Sequence, residues 1–212
     1  MRLSPLEKEL LAKGYSYIAG IDEAGRGAWA GPVVAGAVIL PLDNPEIESL
    51  LAGVCDSKKL APLQRERLFE VISALAVSWG VGFVSPERID RIGIVKATRE
   101  AMALAISQLN PPPQFLLIDY LRLPEVPIPQ EAIVSGDDSC LSIAAASIVA
   151  KVIRDNWMKA MDAVFPGYRF SDHKGYGTSR HREALQKLGP SPIHRSSFAP
   201  VKAFSLKTGR IS

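Results

Sequence analysis

The chain is poor in cysteine: Cys55 and Cys140 are the only two in 212 residues. Two lone thiols exclude a disulfide-stapled scaffold and suit a reducing compartment. No run of 18 apolar residues occurs, so no segment reads as a membrane span. The N-terminal stretch carries Glu7, Lys8 and Glu9 where a secretory signal needs an apolar centre. A cytoplasmic location is the resulting expectation. Histidine is scarce as well, with His173, His181 and His194 all near the C-terminal end. No cluster of His and Cys offers a soft-metal site. No P-loop and no nucleophile elbow is present, so the usual nucleotide-triphosphatase and acyl-transfer readings lack support. Internal repeats and low-complexity tracts are absent too.

What remains is an ordinary globular balance, 47% hydrophobic and 22% charged, with enough apolar material for a core. The formal net charge of +3 permits a polyanionic partner without requiring one. Ser4-Pro5-Leu6-Glu7 is a capping box with proline in the first turn, and it starts a short helix. Tyr17 to Asp22 and Val33 to Leu40 are apolar runs on either side of a glycine-marked turn, which predicts an antiparallel hairpin. A helix follows over about Ala61 to Ala76, where Leu63, Leu68, Val71, Ile72 and Leu75 keep a helical period. Val77 to Val84 reads as a third strand, with Gly80 and Gly82 as bulge sites. More helix starts at Ser85-Pro86-Glu87, continues over Ile94 to Leu109 and ends at three prolines. Phe115 to Asp119 and Ala132 to Ser135 are further strands. A long helix from about Leu141 to Val164 has a small, apolar first half that should pack tightly on the sheet.

This order predicts an α/β fold, a mixed sheet flanked by helices, with strands joined through a helix pairing in parallel. A single domain over residues 1–212 is expected: a core over about 15–165, then a basic, partly helical C-terminal extension over about 166–212.

Four carboxylates stand out by position. Asp22 and Glu23 end the first strand, Asp119 ends the fourth, and Asp137 precedes the long helix. Acids gathered at one sheet edge repel each other unless a cation joins them, and oxygen ligands suit Mg²⁺ or Mn²⁺. Acids at strand ends also serve as turn and cap residues, and Asp137 or Asp138 could cap the helix that follows. The segment Gly25-Arg26-Gly27 lets the backbone approach a ligand and places a guanidinium beside it; the plain alternative is a tight turn. Tyr168, Arg169, His173, Lys174, Tyr176, Arg180 and neighbouring basic residues mix charge with rings. That mixture suits a surface tracking a nucleic-acid backbone, although such runs are often only solvated faces.

Taken together, the motifs resemble bacterial ribonuclease HII from about Tyr17 to His194. They run Gly20-Ile21-Asp22-Glu23-Ala24-Gly25-Arg26-Gly27, Gly31-Pro32-Val33-Val34, Asp56-Ser57-Lys58-Lys59-Leu60, Leu117-Ile118-Asp119, Gly136-Asp137, Ile143 to Val152, and Gly175-Tyr176-Gly177-Thr178. The resemblance implies an RNase H-like sheet with a helical C-terminal extension. It implies cleavage of the RNA strand of RNA–DNA hybrids and incision 5′ of ribonucleotides embedded in DNA. Asp22, Glu23, Asp119 and Asp137 would be the catalytic metal ligands. The Gly25-Arg26-Gly27 backbone would read the ribose 2′-hydroxyl, Tyr176 would stack on the neighbouring sugar, and Ser57, Lys58, Lys59, Ser147 and Lys151 would contact substrate. The mechanism implied is hydrolysis with two Mg²⁺ or Mn²⁺ ions, giving a 3′-hydroxyl and a 5′-phosphate. The partner is nucleic acid, with no membrane, and the chain is expected to be a monomer.

Two positions depart from the family's pattern. Tyr120-Leu121 stands where Gly-Asn is common, and Ile153 where many members carry Thr. The related ribonuclease HIII has an extra N-terminal domain, for which the sixteen residues before the first strand leave no room. A non-catalytic binder that keeps the fold is the rival of another class, and the four intact acids argue against it.

Overall fold

The computed structural model describes residues 1–208; residues 209–212, the end of the expected C-terminal extension, lie outside the described part. Strands β1 (Ile18–Ala24), β2 (Val33–Ile39), β3 (Ser78–Val84), β4 (Phe115–Asp119) and β5 (Gln130–Ile133) form one sheet in the order β3-β2-β1-β4-β5. Around it lie α1 (Pro5–Ala12), α2 (Ile47–Leu50), α3 (Pro62–Leu75), α4 (Pro86–Ile92), α5 (Ile94–Ser107), α6 (Gly136–Ser139), α7 (Leu141–Val164), α8 (Phe170–His173), α9 (Ser179–Leu188) and α10 (Ala199–Thr208). The mixed sheet flanked by helices is the architecture the element order predicts. Among the described residues no helix is long and apolar enough to cross a membrane.

The β1–β2 hairpin is antiparallel, with Asp22 opposite Gly36. The next pairing departs from expectation. β2 and β3 are joined through helices yet pair antiparallel, with Ile39 opposite Ser78. The reason is that α3 packs on α7 and never crosses the sheet, so the chain re-enters at the end it left. There the Val77 N–H donates to the Ile39 carbonyl at 2.9 Å. Conversely, β4 and β5 pair in parallel with only a proline-rich loop between them. The Gln130 side chain satisfies that loop, exchanging hydrogen bonds with the Leu123 N–H and carbonyl at 2.7 and 2.9 Å. β5 ends at Ile133 rather than Ser135, because Ser135 turns into the left-handed region with φ of 54°.

Small residues set the layer spacing. A side chain at Gly20 would land on the Ser142 backbone of α7, and one at Gly36 would meet the Ala146 carbonyl at 2.5 Å. The small, apolar first half of α7 therefore lies directly on β1 and β2, as its composition predicts. Gly80 and Gly82 form no bulge; the β2–β3 register is continuous, and both glycines make room for the Ala101 and Ala105 carbonyls of α5. Burial of side chains such as Ile21, Ile39 and Leu117 contributes roughly 1.5–3 kcal/mol each.

The capping box at Ser4 and Glu7 is present, and Glu7 has a second duty. Its fully buried carboxylate accepts hydrogen bonds from Leu141 N–H at 3.3 Å, Ser142 N–H at 2.9 Å and Ser142 Oγ at 2.7 Å. The orphan donors at the start of α7 are thus closed by α1. Neither Asp137 nor Asp138 caps that helix; both belong to the separate short α6.

The C-terminal part also differs from the surface its composition suggests. Tyr168, His173, His181, His194 and Arg195 are buried, around a small core of Met158, Phe170 and Leu185. His173 and His181 stack with ring centroids 4.3 Å apart.

Candidate active site

β1 and β4 are parallel neighbours, and Ile21 sits level with Ile118. Their next residues, Asp22 and Asp119, therefore lie side by side; β4 ends at Asp119, whereas β1 does not end at Asp22 and Glu23 as expected but runs on to Ala24, held by its pairing with β2. In an α/β sheet this strand edge is where sites form. Asp22 is buried, and burial raises its pKa well above the usual carboxylate range, helped by the charges of Glu23 and Asp119. The Ser147 hydroxyl and the Glu23 N–H act in the opposite direction. Burial pushes Glu23 up to about 7, against the pull of Arg26. Asp119 is also raised by burial, opposed by the Gly136 N–H that its Oδ1 accepts at 2.8 Å. Asp137 is buried beside this group, and its Oδ2 lies 3.1 Å from the Lys58 ammonium.

A cavity of about 500 Å³ opens over these acids, lined by Asp22, Glu23 and Asp119 together with Arg26, Lys58 and Tyr176. Asp137 is not part of its wall. Among the described residues, no three acidic, histidine or cysteine side chains are placed closely enough to cage an ion outright. The donor set nevertheless fits a hard divalent cation. All donors are carboxylate oxygens, Asp22 feels the repulsion of Glu23 and Asp119, and an ammonium already stands on Asp137.

The loop after β1 has little regular structure, and a buried arginine from α7 supports it. Arg154 donates to the carbonyls of Pro32 at 2.9 Å, Ala30 at 3.1 Å and Lys174 at 3.0 Å. Gly25 is bare for this reason: its φ is +89°, and a Cβ there would land on the Arg154 side chain. Gly27 is different. A Cβ there would meet nothing within 4 Å, so its bareness serves no packing within the chain. Arg26 leans back to Glu23 at 3.8 Å and lies 5.8 Å over the ring of Tyr120.

Tyr176 lines the same cavity, half-buried, with Arg154 and Lys151 5.3 and 5.6 Å from its ring centre. Its turn is docked against the loop after β1: Trp29 N–H donates to the Gly175 carbonyl at 2.8 Å, and a side chain at Gly177 would strike the Trp29 ring. An adjoining cavity of about 280 Å³ shares Arg65, Lys151 and Tyr176.

The remaining expected contact residues divide. Ser57 and Lys58 face the main cavity. Lys59 points away and pairs with Asp138. Ser147 is buried beneath the site, its hydroxyl 2.8 Å from that of Ser57. Lys151 reaches the wall but is tied to Asp155 at 2.6 Å. Sequence reasoning missed Arg154 and Arg65 as supports. The signal for Arg154 was present: Ser147, Lys151 and Arg154 share one helical face at i, i+4 and i+7, and the residues between Ile143 and Ile153 are otherwise apolar.

Comparison with known proteins adds to this geometry. The family pattern described as Ribonuclease HII matches residues 19–201. The chain is 53% identical over 198 residues to the Ribonuclease HII of Dehalococcoides mccartyi, covering 93% of this chain and 92% of that one. It is 55% identical over 198 residues to the Ribonuclease HII of Roseiflexus castenholzii, covering 92% and 87%. Among solved structures, the ribonuclease H2 of Pyrococcus horikoshii superposes with a TM-score of 0.76 at 27% identity, covering 91% of this chain and 99% of that one.

Proposed function

Because the chain belongs to the ribonuclease HII family, enzymes that cleave RNA in RNA–DNA hybrids, we propose that it is an endonuclease that also cuts 5′ of single ribonucleotides embedded in duplex DNA. The observation that carries this reading is one cavity that holds Asp22, Glu23 and Asp119, the open backbone at Gly27, and the ring of Tyr176. The acids would hold Mg²⁺ or Mn²⁺, with Asp137 joining them once Lys58 lets go. When bound there, the metal supplies Lewis-acid polarisation of the scissile phosphate and an activated water at neutral pH.

The chain's own residues do the rest. Asp22 lies close enough to Glu23 and Asp119 to be repelled by their charges, and a cation held among them would relieve that repulsion. Gly27 leaves room for a sugar to approach the backbone, whose N–H groups can bond the 2′-hydroxyl that distinguishes RNA from DNA. Tyr176 offers a flat face for the adjacent deoxyribose. Lys58, freed from Asp137, neutralises a phosphate. The products are a 3′-hydroxyl and a 5′-phosphate.

The test is cleavage of a DNA duplex carrying one ribonucleotide, and of a continuous hybrid, with Mn²⁺, with Mg²⁺ and with a chelator. Metal-dependent cutting of both, with a single incision 5′ of the lone ribonucleotide, is expected. Tight binding of both duplexes without any cutting would establish a non-catalytic binder instead.

A further inference from the structure

Two consecutive residues, His194 and Arg195, reach both elements to which ribose recognition is ascribed above. Arg195 is fully buried. Its Nε donates to the Gly31 carbonyl and its Nη1 to the Arg26 carbonyl, both at 3.0 Å. Its backbone N–H donates to the Trp29 carbonyl at 2.8 Å. The Arg26 carbonyl is therefore drawn inward. In a trans peptide the following N–H points the opposite way. The guanidinium thus turns the Gly27 N–H away from the protein interior.

His194 acts on the other element through a chain of hydrogen bonds. Its Nδ1 accepts the Ser191 backbone N–H at 2.9 Å. A backbone donor cannot reverse its role, so the proton of this neutral ring sits on Nε2, which donates to His181 Nε2 at 2.9 Å. His181 then carries its proton on Nδ1, and this donates to the Tyr176 carbonyl at 3.0 Å. Burial, with the nearness of other histidines, holds His181 down to about 4 and His194 to about 3, so both rings are neutral at working pH.

We propose that His194 and Arg195 are positioning residues for the ribose-reading site: Arg195 orients the Gly25-Arg26-Gly27 backbone from behind, and His194, through His181, fixes the turn that carries Tyr176. One short segment thereby registers two elements that lie far apart in sequence. The inference rests on the reading of those two elements as substrate-recognising. It goes beyond that reading in giving the buried histidines and Arg195 a part in specificity.

The geometry allows a paired test in the full chain. In place of histidine, a glutamine amide nitrogen falls near the Nε2 position and can still donate to His181. An asparagine oxygen falls near Nδ1, keeps the Ser191 bond and leaves His181 without its donor. For Arg195→Lys, a point-like ammonium replaces a fork that spans two carbonyls. Three quantities are measured for each variant: backbone amide NMR shifts without substrate, urea midpoint, and single-turnover cleavage of a DNA duplex with one ribonucleotide.

His194→Asn is expected to move the amides of 175–177 and slow cleavage roughly tenfold to a hundredfold, the usual cost of a small misplacement. His194→Gln should leave both close to wild type. Arg195→Lys should move the amides of 25–27 and slow cleavage similarly. Equal shifts and equal rates for the Asn and Gln variants would overturn the proposal, as would rate losses that simply follow the urea midpoint. Were the wild-type chain not to cut the duplex, the nuclease reading would fail, while the amide shifts would still decide the positioning.

Discussion

The Nζ atom of Lys58 stands 3.1 Å from Oδ2 of Asp137, so one of the four acids already has a counter-ion. A divalent cation that recruits Asp137 must displace that ammonium. Lys58→Ala should therefore shift two affinities in opposite directions. Mn²⁺ binding should tighten by roughly two- to fivefold, the worth of an exposed ion pair. Duplex binding should weaken, and its log–log salt slope should fall by about one. Lys59→Ala, which faces Asp138 away from the cavity, should leave the slope nearly unchanged. Calorimetry with Mn²⁺ and a salt series of duplex binding check this; equal slopes for wild type and Lys58→Ala would remove Lys58 from the phosphate contacts.

Asp22→Asn should abolish cleavage while metal-free stability holds or rises near neutral pH. Asp22, Glu23 and Asp119 keep their protons to higher pH when folded than when unfolded. Their contribution to stability is complete below the unfolded value and is lost as pH rises through the folded one, up to about 7 for Glu23. The buried histidines run the other way. Their folded pKa values are depressed, so their contribution is present above the unfolded value of about 6.5 and is lost as pH falls toward about 4 and 3. In the wild type these trends partly cancel between about pH 4 and 6.5. With Asp22 gone the fall on acidification should be steeper, each group adding at most about 1.4 kcal/mol per pH unit. Urea unfolding with a chelator across this range is the measurement; a destabilised or still active Asp22→Asn variant would contradict the assignment.

Gly25 and Gly27 should fail in different ways. Gly25→Ala places a side chain at φ +89° and onto Arg154, so it should unfold the loop and cost more than about 1 kcal/mol. Gly27→Val enters open space, so stability should stay within about 0.5 kcal/mol of wild type while cleavage collapses. Thermal unfolding beside single-turnover rates separates the two. If Gly27→Val cut both substrates normally, the backbone there would not be reading the sugar.

Tyr120 is 60% exposed yet adopts φ of 60°, a conformation that disfavours side chains. The glycine common at this family position matches that backbone. Tyr120→Ala and Tyr120→Gly both lose the ring beside Arg26, but only glycine relieves the backbone. Tyr120→Gly should therefore be more stable than Tyr120→Ala by roughly 1 kcal/mol, in urea unfolding, despite the extra entropy of an unfolded glycine. The opposite order would show that the turn relaxes without strain.

Much of this was legible in the sequence. Apolar runs ending in Asp22 and Asp119 marked two strands, and parallel pairing at matched length brought the acids together. The small residues of α7 marked its burial against the sheet. The deeper supports were not legible. Arg154 was marked only by the helical face it shares with Ser147 and Lys151, and Arg195 and the three histidines look like surface charge because their partners are loop carbonyls and ring nitrogens from distant segments. Nothing local announces such a partner. Glu7 was recognisable as half of a capping box, but its bonds to Leu141 and Ser142 depend on how α1 docks. The antiparallel β2–β3 pairing was missed because the intervening helix lies on another helix, and no periodicity records that choice.

The two strands that carry Asp22 and Asp119 meet through a ladder that begins where Ile18 pairs with Phe115, and the loop beside them is closed by Arg195. The hairpin of β1 with β2 is local and can form early, whereas the β1–β4 ladder must first close a long loop of chain. A ribosome therefore releases the first acids well before their partners exist. On the proposed reading, a chain cut off before Arg195 carries all four acids without the side chain that orients the loop beside them.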